Sequence, residues 1–239
     1  MRKKVLILFL LVASISSLQA QSQKEYPTFL EKNSVPDGLR YLPAPPDTAT
    51  AAFMADAEAY EKGKSIRNTP RGKMAADDAG TSTEKIIAML AAATNQIYTQ
   101  KDCPNLYYLI ERTMNDAYQS ISSVKKHYKR IRPFVLFNEP SGIPEEEESH
   151  RKTFSYPSAH SAMAWAAALV MVEILPCCQE EILQRGYEFG QSRVIAGYHY
   201  QSDVDAARLA ASATVARLHA DKKFRKVLKK AKKEVRFCR

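Results

Sequence analysis

Apolar positions along the chain recur at helical spacing almost everywhere after residue 50. Leu106, Ile110, Met114, Ala117, Ile121 and Val124 follow one another at offsets of three and four, which puts them on one face of a helix that Pro104 can open. In "TSTEK", Thr81 stands three residues before Glu84, a capping-box pattern that predicts a helix over 86–97. Ser158 is placed to cap a helix running through Glu173, and 179–197 and 203–219 read as two more. The apolar run 162–172 is ended by Glu173 and Pro176, too soon to cross a bilayer, so it predicts a buried core helix. No stretch alternates apolar and polar residues as a half-buried strand does, and there is no internal repeat. The expected class is all-α, a single-domain helical bundle.

The two ends differ from this pattern. "MRKK" followed by "VLILFLLVA" and a small residue at Ala20 reads as a secretory signal peptide over 1–20, with Ser22 as an alternative cleavage point. No cysteine lies nearby to carry a lipid anchor. Residues 21–50, with "YLPAPPD", predict an extended arm, 51–220 the helical domain, and 221–239 a basic C-terminal helix or tail. The expected location is periplasmic or secreted, with no membrane span.

Charge changes the picture less than its total suggests. The formal net charge is +9, but three cations belong to the signal segment. Residues 221–239 hold ten Lys or Arg against two acids, so the body of the chain is near −2. The tail reads either as a helix for acidic surfaces or nucleic acid, or as a solvated helix packed through Phe224, Leu228 and Val235. The second is preferred, because basic helix faces are common. No nucleic acid is expected as a specific partner.

Cys103, Cys177, Cys178 and Cys238 lack zinc-site spacing and, in an exported chain, allow three disulfide pairings. Adjacent Cys177 and Cys178 are each expected to seek a distant partner. Four consecutive glutamates, 145–148, do not alternate as calcium-chelating loops do and read as solvated loop.

Three segments carry candidate chemistry. "SRVIAGYHYQSD" places Arg193, His199 and Asp203 together, with the acid four residues after the histidine. That offset lets a carboxylate reach one ring nitrogen and leave the other to attack, although a helix end with ordinary surface charges gives the same text. In "KKHYKRIRPF", Lys125 and Arg132 are seven apart and share a face if the helix continues that far. In "YPSAHSAMAWAAALV", Ser158, Ala159 and His160 open a buried helix whose free N–H groups form a natural phosphate cradle. Cations, N–H donors, two histidines and an aspartate together suit phosphoryl transfer without a metal.

The pattern Lys-x6-Arg-Pro, Pro-Ser-x-His, Ser-Arg-x5-His-x3-Asp is similar to the signature of the phosphatidic acid phosphatase type 2 / vanadium haloperoxidase superfamily. It falls here on Lys125, Arg132, Pro133, Pro157, Ser158, His160, Ser192, Arg193, His199 and Asp203. "YLPAPP", "YEKGKSIRNTPRGK", "QRGYEFG" and "LHAD" extend the resemblance, over about residues 40 to 225, to the bacterial class A non-specific acid phosphatases. The resemblance implies an all-helical, homo-oligomeric periplasmic phosphomonoesterase with a phosphohistidine intermediate, no metal and no cofactor, possessing phosphotransferase capacity. Small-molecule phosphate monoesters are the implied substrates. By position, His199 resembles the nucleophile, Asp203 its orienting acid and His160 the general acid. Lys125, Arg132, Ser158, Ala159 and Arg193 resemble the phosphate-binding set. One position departs: the family has glycine where this chain has Ala159, which keeps the N–H but disfavours positive φ.

Alternatives remain at this level. A vanadate-dependent haloperoxidase shares the pocket residues, but text of the class A kind along the chain argues against it. A lipid phosphatase of the superfamily would need several spans. A non-enzymatic protein acting through its basic tail would leave the pocket dispensable.

Overall fold

The computed structural model describes residues 26–235; the segment 1–20 expected to be a signal peptide, and Cys238, lie outside the described residues. Among these residues there are ten α-helices and no strand, in agreement with the all-α expectation. They are α1 (Ala51–Ser65), α2 (Pro70–Asp77), α3 (Thr83–Ala92), α4 (Pro104–Tyr128), α5 (Pro133–Leu136), α6 (Glu147–Arg151), α7 (Ala159–Ile174), α8 (Gln179–Ile195), α9 (Gln201–His219) and α10 (Lys222–Glu234).

Helix α7 is the centre of the bundle and packs on α4, α8 and α9. Ala162, Ala164, Ala166, Ala167 and Ala168 of α7 are all completely buried, and such small side chains let neighbouring helices close in. At Gly186 of α8, an added Cβ would come within 2.7 Å of the Ala168 Cβ, so this crossing requires glycine. All six periodic residues of α4 are buried, as their spacing predicts. No helix among the described residues is long and apolar enough to cross a membrane.

Both ends of the described chain are fastened to α4. The buried Asp116 carboxylate accepts the N–H groups of Phe29 and Leu30, at 2.9 and 3.3 Å, and so anchors the start of the arm. Burial pushes its pKa up to about 6. The N-cap of α4, Cys103, offers no side-chain bond; Glu234 of α10 instead accepts from Asn105 and Leu106. Helix α10 buries Phe224, Leu228 and Ala231 and turns its lysines outward.

Several local expectations need correction. Ser82, not Thr81, caps α3, accepting the Lys85 N–H at 3.2 Å. The helix ends at Ala92 rather than Ile97, because Asn95 adopts a left-handed conformation, and Ile97 is 90% exposed. Helix α4 stops at Tyr128, where Lys129 turns left-handed, so Arg132 is reached through a turn and is not on a shared face with Lys125. The glutamate run is a 3₁₀ turn opened by Pro144 and then α6, and not simply solvated loop. Glu147 accepts the Ser141 N–H at 2.6 Å, and Glu146 leans toward Arg193. Cys177 is disulfide-bonded, and Cys103 is a buried free thiol.

Candidate active site

The structure brings the predicted site residues together from three places: the end of α4 with the turn after it, the start of α7, and the end of α8 with the turn into the start of α9. Two backbone features hold these places in register. The Ser158 N–H donates to the Asp203 carbonyl at 3.0 Å, tying the start of α7 to the start of α9. Gly197, at φ +82°, lets α8 end and the chain reverse, where any other residue would be strained.

His199 is buried in this turn. Its Nε2 lies 3.1 Å from Nη1 of Arg132, and its Nδ1 lies 3.5 Å from Oδ2 of Asp203. A guanidinium only donates, so Nε2 must be the acceptor and carry the free lone pair, which leaves the ring proton on Nδ1 facing the carboxylate. Burial, followed by the charges of Arg132, Lys125 and Arg193, pushes the His199 pKa well below its ordinary value. Asp203 is fully buried; its Oδ2 accepts the Tyr200 N–H at 2.9 Å and its Oδ1 accepts from Arg130 at 2.7 Å. Burial raises its pKa, against the pull of Arg130 and Lys125.

The cations surround the histidine. Arg132 also donates to the Tyr198 carbonyl and, through Nη2, to the Thr153 hydroxyl at 2.9 Å. The Lys125 ammonium donates to the carbonyls of Phe154 and Pro157, both at 2.7 Å, so in this conformation it braces the segment before α7. Burial, then repulsion from Arg132, pushes Lys125 down to about 7, while Arg132 falls to about 10, through burial first and Arg193 next.

Arg193 has the most telling environment. Its side chain is completely buried over the Tyr198 ring, yet none of its three guanidinium nitrogens has a hydrogen-bond acceptor. The nearest carboxylate oxygen, Oε2 of Glu146, stands 3.8 Å away. An unmatched buried cation is costly, and an oxyanion would supply both the counter-charge and the acceptors.

The start of α7 faces the same cluster. The Ser158 hydroxyl caps the helix through the Ser161 N–H, leaving the first N–H groups of α7 without helical acceptors. Ala159 is the first helical residue and is not among those with positive φ, so alanine fits here without backbone strain. Nε2 of His160 lies 2.9 Å from the Ala79 carbonyl, so Nε2 carries a proton and Nδ1 is the nitrogen left for other exchange. Burial, then Arg193 and His199, holds the His160 pKa well below its usual value.

Three neighbours escaped the sequence reading. His150 of α6 stands edge-on to Tyr198, 6.3 Å from the His160 ring, and Glu146 precedes it. Arg130 sat unnoticed within a basic run. Nothing local distinguishes such residues from solvated charges; only their burial does. Ser192, part of the sequence signature, turns away from the cluster and donates to Asp78 at 2.6 Å. A surface cavity of about 170 Å³ near Asp78 and Arg185 contains none of the predicted site residues, and its main charges pair with each other.

A helical bundle that gathers buried cations and helix-start amides around one imidazole offers a site suited to an oxyanion. The PAP2 superfamily model matches residues 87–226. A non-specific acid phosphatase of Providencia stuartii is 44% identical over 207 residues, covering 86% of this chain and 84% of that protein. One of Salmonella typhimurium is 42% identical over 196 residues, covering 82% and 78%. An acid phosphatase of Zymomonas mobilis is 32% identical over 203 residues, covering 85% and 77%. The chain belongs to the PAP2 superfamily, among its class A acid phosphatases.

Proposed function

We propose that this phosphoric monoester hydrolase acts through a phosphohistidine formed on His199, without a metal, and releases phosphate to water or to an acceptor alcohol. The observation that carries the reading is Arg193: a buried guanidinium without acceptors, near an imidazole whose Nε2 lone pair is held only by Arg132. A phosphoryl group bound by Arg193, Arg132 and the α7 amides draws the Arg132 guanidinium off Nε2. The lone pair then forms the N–P bond as the ester P–O bond breaks. His160 supplies the proton that the departing alkoxide needs. Asp203 stabilises the imidazolium character that develops on His199. Water then cleaves the N–P bond; an alcohol in its place gives phosphotransfer. Charge stabilisation comes from protein cations and N–H groups, the work a metal does elsewhere.

The test is a hydrolysis panel of aryl, sugar and nucleotide monophosphates in excess chelator, with orthovanadate as inhibitor. Turnover that survives chelation and is blocked by vanadate supports the reading. Loss with chelator and recovery with a divalent ion overturns it. Export to the periplasm or medium is part of the same proposal, resting on the basic and apolar pattern of residues 1–20. N-terminal sequencing of the mature protein tests it.

A further inference from the structure

Asp203 has one carboxylate and several claims on it. Oδ2 must stay toward His199, yet Asp203 is fully buried and Arg130 is 2.7 Å from Oδ1. Alone, a guanidinium and a carboxylate favour a two-toothed pair that takes both oxygens. Here that pairing is divided. Arg130 gives Nη1 to Asp203 and to the Ser202 hydroxyl, at 2.7 and 2.8 Å. It gives Nη2 to Oδ2 of Asp56, at 2.8 Å. Asp56 also accepts the Ser202 N–H at 2.9 Å and the Ser202 hydroxyl, and the guanidinium lies 3.9 Å over the Tyr200 ring. The side chains of Arg130, Asp56 and Asp203 are 9%, 3% and 0% exposed. Asp56 belongs to α1, outside the residues the family model matches.

We infer that Arg130 and Asp56 are positioning residues for the His199–Asp203 pair: Asp56 takes one edge of the Arg130 guanidinium so that the other edge holds Asp203 by a single oxygen and leaves Oδ2, which also accepts the Tyr200 N–H, facing the imidazole at 3.5 Å. The inference rests on the phosphohistidine reading and deepens it. It makes α1 part of the machinery without touching substrate. Arg130 also offsets the burial of Asp203. The groups facing that carboxylate are Lys125 from α4, Arg130 and Arg132 after it, Tyr156, and His199 and Tyr200 ahead of α9. Arg130 exerts the strongest favourable pull among them. Without it, Asp203 takes up a proton at higher pH and loses the negative charge that faces Nδ1 at 3.5 Å.

The experiment compares wild type with Arg130→Met, Arg130→Lys and Asp56→Asn, each checked by thermal melting. It measures kcat/KM for nitrophenyl phosphate against pH, phosphate inhibition, and the His199 ring signals by ¹⁵N NMR. Arg130→Met is expected to lower kcat/KM about tenfold or more, the scale typical of lost outer-shell partners. Its acid limb should move up by about one pH unit or more, while phosphate inhibition changes less than about threefold, since the anion cluster keeps its own charges. Arg130→Lys should recover part of the loss. Asp56→Asn should move the acid limb the same way by less, and adding it to Arg130→Met should cost nothing further. A folded Arg130→Met with an unmoved acid limb overturns the inference, as does a loss confined to phosphate inhibition. Should Arg130→Met not fold, Asp56→Asn decides by the same two outcomes. Should wild type hydrolyse no phosphate monoester, the phosphatase reading fails separately. The ring signals then still decide: a single Nδ1–H tautomer that becomes a mixture in the variants supports the positioning role, and an unchanged tautomer rejects it.

Discussion

Nη1 of Arg132 and Nε2 of His199 are 3.1 Å apart, and this one contact sets the state of the imidazole. Because the guanidinium cannot accept, the ring must present its lone pair at Nε2 and its proton at Nδ1, toward Asp203. The contact therefore selects the tautomer with its lone pair on Nε2, the one that the proposed phosphohistidine route requires. Burial first, and then the Arg132 cation with Lys125 and Arg193, holds the ring well below its ordinary pKa and so keeps it uncharged.

His199→Ala should abolish both turnover and acid-labile labelling by substrate. Asp203→Asn should leave a folded enzyme slowed by about 10³–10⁴-fold, because an amide can select the wrong tautomer and cannot stabilise imidazolium. Rapid-quench labelling checks this; label persisting in His199→Ala would place the nucleophile elsewhere.

His160→Ala should depend on the leaving group. Proton donation contributes about 10²–10⁴-fold where an alkoxide must leave, and little where a nitrophenolate leaves readily. The loss in kcat/KM should thus be far larger for a sugar phosphate than for nitrophenyl phosphate. Since burial and Arg193 depress the His160 pKa, the protonated acid grows as pH falls, and bound phosphate favours it. The difference should be largest below neutral pH, and equal losses would make His160 a binding residue instead.

Lys125 should give oxyanion binding a pH dependence. With its pKa pushed down to about 7, it is neutral above that pH in the free protein and must take up a proton to meet an anion. Competitive inhibition by sulfate, whose charge is constant over this range, should therefore weaken as pH rises through about 7. Lys125→Met should bind sulfate more weakly at low pH and lose this step, keeping only the dependence that the histidines impose below it. A wild-type profile flat through pH 7 would refute the assignment.

Ala159→Gly should do little to the site. Ala159 already has helical φ, so glycine relieves no strain, and phosphate inhibition should stay within about threefold of wild type. Its measurable effect should be a loss of up to about 1 kcal/mol of stability by thermal unfolding, from the greater freedom of glycine in the unfolded chain. A clear gain in phosphate affinity would show that the methyl group obstructs the cradle.

The helices were legible because each is a local matter of spacing. The α4 stripe and the Ser158 cap need only near neighbours in sequence, and both are found as expected. The boundaries at Asn95 and Lys129 fall where a non-glycine residue turns left-handed, a conformation that asparagine adopts more readily than most residues but that nothing in lysine announces. The site residues were legible as text because their signature occupies three short segments. The text did not show that Lys125 is engaged with the Phe154 and Pro157 carbonyls, or that Ser192 points toward Asp78.

The sequence by itself determined the all-helical class, the core faces of the helices, and the group of residues able to perform oxyanion chemistry, since composition and periodicity act over a few turns of chain. Only the tertiary structure decided which charges are paired and which are not. Arg130 and Arg193 look alike in sequence, yet one is held between two acids and the other is buried with no acceptor. That difference comes from α1, α6 and α9 approaching them from up to 74 residues away, where packing, and not local pattern, sets the distance and the solvent exposure that give each charge its energy.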